Sequence, residues 1–178
     1  MINTLIFDFG DVFINLDKSA IERSLNKLGI STITGEMIET AKVYEKGLIS
    51  TNEFINSFTK KFPTITNKQF TKAWNSIILD LPEHRLTFIE NLASLKKYKL
   101  ILLSNTNALH IDKVIENMSL KRYCRFKKCF DKFYLSHEIK LRKPDHYIYE
   151  FVLNENNLMA KNCFFIDDTK ENTDTAKK

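Results

Sequence analysis

The residues that could do chemistry in this sequence stand at the ends of four short apolar runs. Thr4-Leu5-Ile6-Phe7 leads into Asp8-Phe9-Gly10-Asp11-Val12, and Leu100 to Leu103 leads into Ser104-Asn105-Thr106-Asn107. Arg142-Lys143-Pro144 follows Phe133-Tyr134-Leu135 at a short distance, and Cys163 to Ile166 ends in Asp167-Asp168. Carboxylates, a hydroxyl and a lysine gathered at one point suit phosphoryl transfer. Hydrolysis of a phosphate monoester needs acceleration of up to ~10²¹-fold. Most of that comes from positioning and electrostatics around the phosphoryl oxygens. A carboxylate facing an anionic phosphate needs a cation, and Mg²⁺ held by one or two carboxylates, substrate oxygen and waters supplies it. On this reading Asp8 is both nucleophile and metal ligand, with Asp168 as the opposing ligand. Lys143 adds a second positive charge, and Ser104 with nearby backbone N–H groups holds phosphoryl oxygens.

For these residues to meet, the apolar runs must be neighbouring strands. Each is too short for a helix and apolar without alternation, the pattern of a strand buried on both faces of a parallel sheet. Helical patterns over Leu109–Met118 and His146–Leu153 lie between the later runs, giving a βαβ order. Tyr147, Ile148, Phe151 and Val152 form an apolar stripe that would pack on the sheet. In an open parallel sheet the ligand crevice lies beyond the carboxyl ends of the strands, where all four polar clusters fall.

The segment from Asp17 to Pro82 has no strand-like run. Amphipathic helical patterns cover Ser19–Leu28, Met37–Tyr44, Asn52–Phe62 and Asn67–Leu79, with Ser50 or Thr51 and Thr66 or Asn67 as caps. This predicts an all-helical insert at 17–82 within an α/β core made of 1–16 and 83–178. A further helix, Glu83–Lys97, returns the chain to the sheet.

The 178 residues are 43% hydrophobic and 12% aromatic, enough for a buried core and against disorder. Lys and Arg number 27 against 22 Asp and Glu, a balance of +5 that suits an anionic small molecule as well as nucleic acid. The apolar run at the N-terminus is broken by Asp8 with no basic residue before it, unlike a signal peptide. No stretch approaches the roughly 20 apolar residues that cross a bilayer. Three cysteines without metal-ligand spacing read as reduced thiols, so a cytoplasmic protein is expected.

The ordered set Asp8-x-Gly-x-Val, Leu-Leu-Ser104-Asn, Arg142-Lys143-Pro144 and Phe165-Ile-Asp167-Asp168 resembles the four motifs of the haloacid dehalogenase-like superfamily of phosphohydrolases. The helical insert stands where that family has its C1 cap. Ser104-Asn-Thr-Asn with His110, Tyr134-Leu-Ser136 and Leu141-Arg-Lys-Pro are most similar to the alpha-D-glucose-1-phosphate phosphatase group. The phosphatase domain of soluble epoxide hydrolase is a more distant likeness. Glu45-Lys-Gly47-Leu-Ile-Ser50 resembles a cap segment common in these enzymes. The likeness runs from Met1 to about Thr175.

What the resemblance implies is a Rossmann-like α/β fold: a parallel sheet with flanking helices and an inserted helical cap. It makes Asp8 the nucleophile, Ser104 the phosphate hydroxyl and Lys143 the phosphate lysine. Asp168 would bind Mg²⁺, Asp167 would support the metal shell, and the Gly10 carbonyl would be the remaining protein ligand. Asn105, Gly10, Glu45 and Arg142 join Ser104 as candidate substrate contacts. The expected activity is Mg²⁺-dependent hydrolysis of a small phosphorylated metabolite, a sugar phosphate above all, through an aspartyl-phosphate on Asp8. Neither nucleic acid nor a membrane is an expected partner.

Two departures qualify the match. Most family phosphatases have a second Asp, the general acid and base, where this chain has Gly10. Such a group is worth ~10²–10⁴-fold. The glucose-1-phosphatase-like group resembles this chain in having Gly there. Asp11 reads as a turn former rather than a substitute, because Asp tolerates a left-handed backbone; Glu45 is a second candidate donor. The other departure is at the end. Relatives continue through a helix and another strand, whereas this sequence stops at Lys178, so the core is expected to have a shortened C-terminal end. Its last strand would be an exposed edge, open to pairing with another copy of the chain.

Each motif alone has an ordinary explanation. Asp8 could be a turn residue, Ser104-Asn105 a loop, Lys143 a surface lysine and Asp167-Asp168 a helix cap; all four in order are not explained that way. His110 and His137 read as structural, and Phe70 and Trp74 as the insert's own core. The basic run Lys121 to Lys128 reads as a solvated helix or loop rather than a nucleic-acid contact. Two other functions compete: a weakly catalytic or inactive binding or regulatory protein on the same fold, and a 2-haloacid dehalogenase that needs no metal. A response-regulator receiver would place its acidic pair at the first strand and have no helical insert after it.

Overall fold

A computed structural model describes residues 1–177. Four parallel strands, β1 (Thr4–Phe7), β2 (Lys99–Ser104), β3 (Lys132–Leu135) and β4 (Cys163–Ile166), form one sheet in the order β3-β2-β1-β4. All four strand expectations hold to within a residue. Phe7 pairs with both Leu102 and Ile166, and Ser104 pairs with Leu135. One residue further along, this register brings Asp8, Leu103 and Asp167 into one row across the carboxyl end of the sheet.

Between β1 and β2 the chain forms α1 (Ala20–Lys27), α2 (Gly35–Glu45), α3 (Thr51–Thr59) and α4 (Asn67–Trp74), then α5 (Glu83–Ser94). The remaining helices are α6 (Ala108–Met118), α7 (Leu120–Lys127), α8 (Ser136–Ile139), α9 (His146–Glu155) and α10 (Lys170–Ala176). Local chemistry sets several starts. Ser50 with Glu53 and Thr66 with Gln69 form reciprocal capping boxes at α3 and α4, satisfying backbone donors that a helix start leaves free. The helix expected to run to Leu79 instead ends as α at Trp74 and continues as a single 3₁₀ turn over Asn75–Ile77. There the backbone turns to pair with the outgoing strand: Asp17 N donates to Ile77 O, Leu79 N to Asn15 O and Asn15 N to Asp80 O. The two chain crossings between core and insert are thus a hydrogen-bonded ribbon.

Three apolar clusters follow. Phe7, Phe9, Phe13, Leu86, Ile89, Leu100, Leu102 and Phe126 fill one side of the sheet. Ile6, Ile101, Leu103, Ile148 and Val152 fill the other, beneath α9. The insert has its own centre of Leu25, Phe54, Phe58, Phe70 and Trp74, joined by Leu109 from α6. The basic run forms α7, where Phe126 is wholly buried while Arg122 pairs with Glu83 and Arg125 with Glu90, a solvated helix face. β4 is an edge strand among the described residues, with Phe164 exposed. No helix among the described residues is long and apolar enough to cross a membrane.

Candidate active site

Asp8 leaves β1 with its backbone N–H on Ile166 O at 2.8 Å, which ties it to the end of β4. Its carboxylate is buried and meets the Lys143 ammonium at 2.7 Å. Lys143, 1% exposed, also donates to Asp167 Oδ2 at 2.6 Å and to the Leu103 carbonyl at 2.7 Å, so each of its three hydrogens has an acceptor. Burial pushes the Asp8 carboxyl above its ordinary 3.8; Lys143 opposes this, and the charge of Asp167 adds to it.

Lys143 is held in this position from the backbone. Asn105 Oδ1 accepts the Lys143 N–H at 2.9 Å, and Asn105 Nδ2 donates to the Lys143 carbonyl at 2.9 Å. The Asn105 amide is therefore bound to the Lys143 peptide rather than free for a ligand. Ser104 is buried, and its hydroxyl has only a long 3.5 Å contact with Asn105 O. At that length the bond is weak and the hydroxyl is available to another acceptor.

Carboxylate oxygens of Asp8, Asp167 and Asp168 lie within 4.8 Å of one another, a spacing that could hold a metal ion. Asp167 is the most engaged of the three. Besides Lys143 it takes two bonds from Asn172 Nδ2, both at 3.0 Å, and one from Thr169 N at 2.8 Å. The Gly10 carbonyl accepts Val12 N at 2.6 Å. A side chain at this position would put its Cβ 2.7 Å from Leu16 Cδ1, the far end of a flexible side chain that would have to shift. Asp11 has φ +52°, and its carboxylate takes the Leu16 N–H at 3.0 Å, as a turn former does.

Arg142 and Glu45 come together as an ion pair, Nε to Oε2 at 2.6 Å, linking the end of α2 to the core. Three further contacts reinforce that seam. Ser136 Oγ donates to Glu45 O at 2.6 Å and accepts Thr106 N at 2.9 Å. Leu109 N donates to Tyr44 Oη at 3.3 Å. Gly47 has φ +61°, and a Cβ there would meet His137 O at 2.0 Å. His110 is buried and structural: Asn107 Nδ2 donates to its Nδ1 at 3.1 Å and its Nε2 donates to Trp74 O at 3.3 Å. A cleft of about 210 Å³ opens beside Lys143, between Lys42 and Lys46 of the insert and Arg142 of the core. A roomier concavity of about 560 Å³ at Lys96–Lys99 lies at the other end of the sheet, away from Asp8.

Sequence reasoning did not anticipate Lys18 or Asn172. Lys18 reaches Asp168 Oδ2 at 2.5 Å and Asp11 Oδ2 at 2.9 Å, and these bonds, Asp168's first, hold its ammonium above the ordinary range. Asn172 lies five residues after Asp167, in the first turn of α10. Neither contact had a local signal in the sequence.

A family model described as haloacid dehalogenase-like hydrolase matches residues 5–178. The chain belongs to that family. Among curated relatives of this haloacid dehalogenase-like hydrolase is a D-ribitol-5-phosphate phosphatase of Bacteroides thetaiotaomicron, 26% identical over all of this chain and 88% of that protein. A solved HAD-family enzyme of the same organism, in complex with magnesium and inorganic phosphate, is 34% identical with a TM-score of 0.86, over 99% of this chain and 90% of its own. A HAD-like hydrolase structure from Porphyromonas gingivalis is 26% identical with a TM-score of 0.83, over 99% and 87%.

Proposed function

We propose that this chain is a magnesium-dependent phosphatase acting on a small phosphorylated sugar or polyol, with Asp8 as the nucleophile. The observation that carries this reading is a buried carboxylate at a strand end, 2.7 Å from a buried lysine and sharing a 4.8 Å carboxylate cluster with Asp167 and Asp168. The name of the curated relative and the ligands of the solved one support the same substrate class.

The donor set fits the metal. Asp8, Asp11, Asp167 and Asp168 bring four carboxylates against the ammonium groups of Lys143 and Lys18, which leaves an excess of two negative charges for a divalent cation to balance. Asp8, Asp168 and the Gly10 carbonyl would hold Mg²⁺, with Asp167 behind them. When bound, the ion supplies charge neutralisation between the carboxylate and the phosphoryl oxygens.

Asp8 attacks phosphorus with one carboxylate oxygen as the bond to the leaving alkoxide breaks. The phosphoryl group is then an acyl phosphate on Asp8, which water cleaves in a second step. Lys143 holds Asp8 in its attacking position and offers positive charge to the transferred group. Ser104, whose hydroxyl lacks a firm partner, donates to a phosphoryl oxygen. The alkoxide takes its proton from water, because Asp11 is tied to Leu16 N and Lys18, and Glu45 to Arg142. The helical insert acts as the cap, and Lys46 at its seam adds a positive charge beside the Arg142–Glu45 and Lys42–Glu39 pairs.

Phosphate release from an aryl phosphate and a sugar-phosphate panel, with Mg²⁺ and with EDTA, tests this. Magnesium-dependent release that vanishes in Asp8→Asn is expected. Gly10, which offers no acid where most family phosphatases have one, supports a second reading as a weakly catalytic binding protein; Mg²⁺ and phosphate binding without turnover across the panel is its signature. Activity on a 2-haloacid that survives EDTA would replace both.

A further inference from the structure

Lys18 lies in the first connection from core to insert, two residues ahead of α1, yet its ammonium reaches a carboxylate 150 positions away. It meets Asp168 Oδ2 at 2.5 Å and Asp11 Oδ2 at 2.9 Å. Asp168 has otherwise only a long 3.5 Å contact from the Thr169 hydroxyl. Its neighbour Asp167 is pinned by Lys143, Asn172 and Thr169. Of the two acids, the one that would ligate the metal directly is held mainly by a single surface cation, whose own side chain is 61% exposed.

We propose that Lys18 is a built-in monovalent stand-in at the divalent-cation site. It holds Asp168 and Asp11 together while no metal is bound, and yields Asp168 when Mg²⁺ arrives. This inference rests on the metal site proposed above. Mg²⁺ requires carboxylate oxygen at about 2.0–2.1 Å and keeps a tight octahedral shell with several waters. An ammonium in contact with the same Oδ2 competes for that position and repels the ion across a few ångströms. The exposed Lys18 side chain can swing away without leaving a cavity, whereas Lys143, buried among three acceptors, cannot.

Linkage then sets opposite signs on two measurable quantities. A group that stabilises only the metal-free protein weakens metal binding by the same factor. Removing the Lys18 charge therefore tightens Mg²⁺ binding while loosening the metal-free fold.

The experiment titrates Mg²⁺ calorimetrically into the wild-type chain, Lys18→Met and Lys18→Arg at fixed ionic strength. Melting is followed in EDTA and in saturating Mg²⁺. Lys18→Met is expected to bind Mg²⁺ about three- to tenfold more tightly, the scale of one or two exposed ion pairs. It should melt below wild type in EDTA, with the gap closing in saturating Mg²⁺, and Lys18→Arg should stay near wild type in both. Unchanged or weaker binding by a folded Lys18→Met, beside a wild type that binds, overturns the competition while leaving the metal site intact. A wild type that binds no Mg²⁺ overturns the metal site and this inference together.

Discussion

The Lys143 ammonium meets the Asp8 carboxylate 2.7 Å away, at the mouth of the sheet, and together they bury opposite charges that neither could bury alone. Lys143 is 1% exposed and also serves Asp167, whose side chain is wholly buried. Such an arrangement is stable only as a set, because desolvation of each ion is offset by the others.

Replacing Lys143 with Met leaves two buried carboxylates facing each other without a cation. Stability is expected to fall by about 3–5 kcal/mol, read from urea denaturation. Phosphate release should disappear as well. A loss below about 1 kcal/mol would mean that solvent or another cation already compensates these acids.

Acid should weaken the fold through His110. Burial holds its imidazole at about 4, well under the ordinary 6.5, with the Trp74 carbonyl opposing. The native state keeps the ring neutral where the unfolded chain takes up a proton. Its contribution is complete above pH 6.5 and is lost as pH falls from there towards 4, about 2 kcal/mol between pH 7 and pH 5. Denaturation at the two pH values should show His110→Gln with a flatter acid limb than wild type; parallel limbs would remove His110 from the account.

At Gly47 the backbone is left-handed, and an added Cβ would strike the His137 backbone carbonyl at 2.0 Å. Gly47→Ala therefore has to shift α2 away from α8. A loss of about 2 kcal/mol or more is expected, beyond the ~1–2 kcal/mol of the φ angle alone. The melting temperature should drop, and KM for a sugar phosphate should rise as the seam opens. A melting temperature within a degree of wild type would show that the seam is not a rigid contact.

Glu45 is bound to Arg142 at 2.6 Å, and we propose that it serves as a strut rather than a proton donor. Glu45→Gln is expected to raise KM while leaving kcat within about threefold, alike for an aryl phosphate and a sugar phosphate. A true acid would behave differently: kcat for the poor leaving group alone would fall by ~10²-fold or more, in keeping with the worth of general acid catalysis.

The strands and the acids at their ends were readable because burial on both faces leaves an unbroken apolar run, and the next residue must be polar to face the crevice. The insert's helices were readable for a similar reason, through their apolar stripes and caps at Ser50 and Thr66. The end of α4 was misjudged since Ile77 and Leu79 continue a helical stripe; backbone pairing with Asp17 and Asn15 overrides it. Nothing in the sequence signalled that the Asn105 amide brackets the Lys143 peptide.

Period and order along the chain were thus enough for the α/β class and for bringing Asp8, Lys143 and the Asp167-Asp168 pair to one end of the sheet, because these depend on local pattern. Partner choice was not. Lys18 finding Asp168, Asn172 bracing Asp167, Glu45 closing on Arg142 and Leu16 filling the space beside Gly10 are all meetings that folding alone arranges. A side chain's reach is a few ångströms, and which groups fall within it depends on strand register and helix placement, quantities that no single stretch of sequence contains.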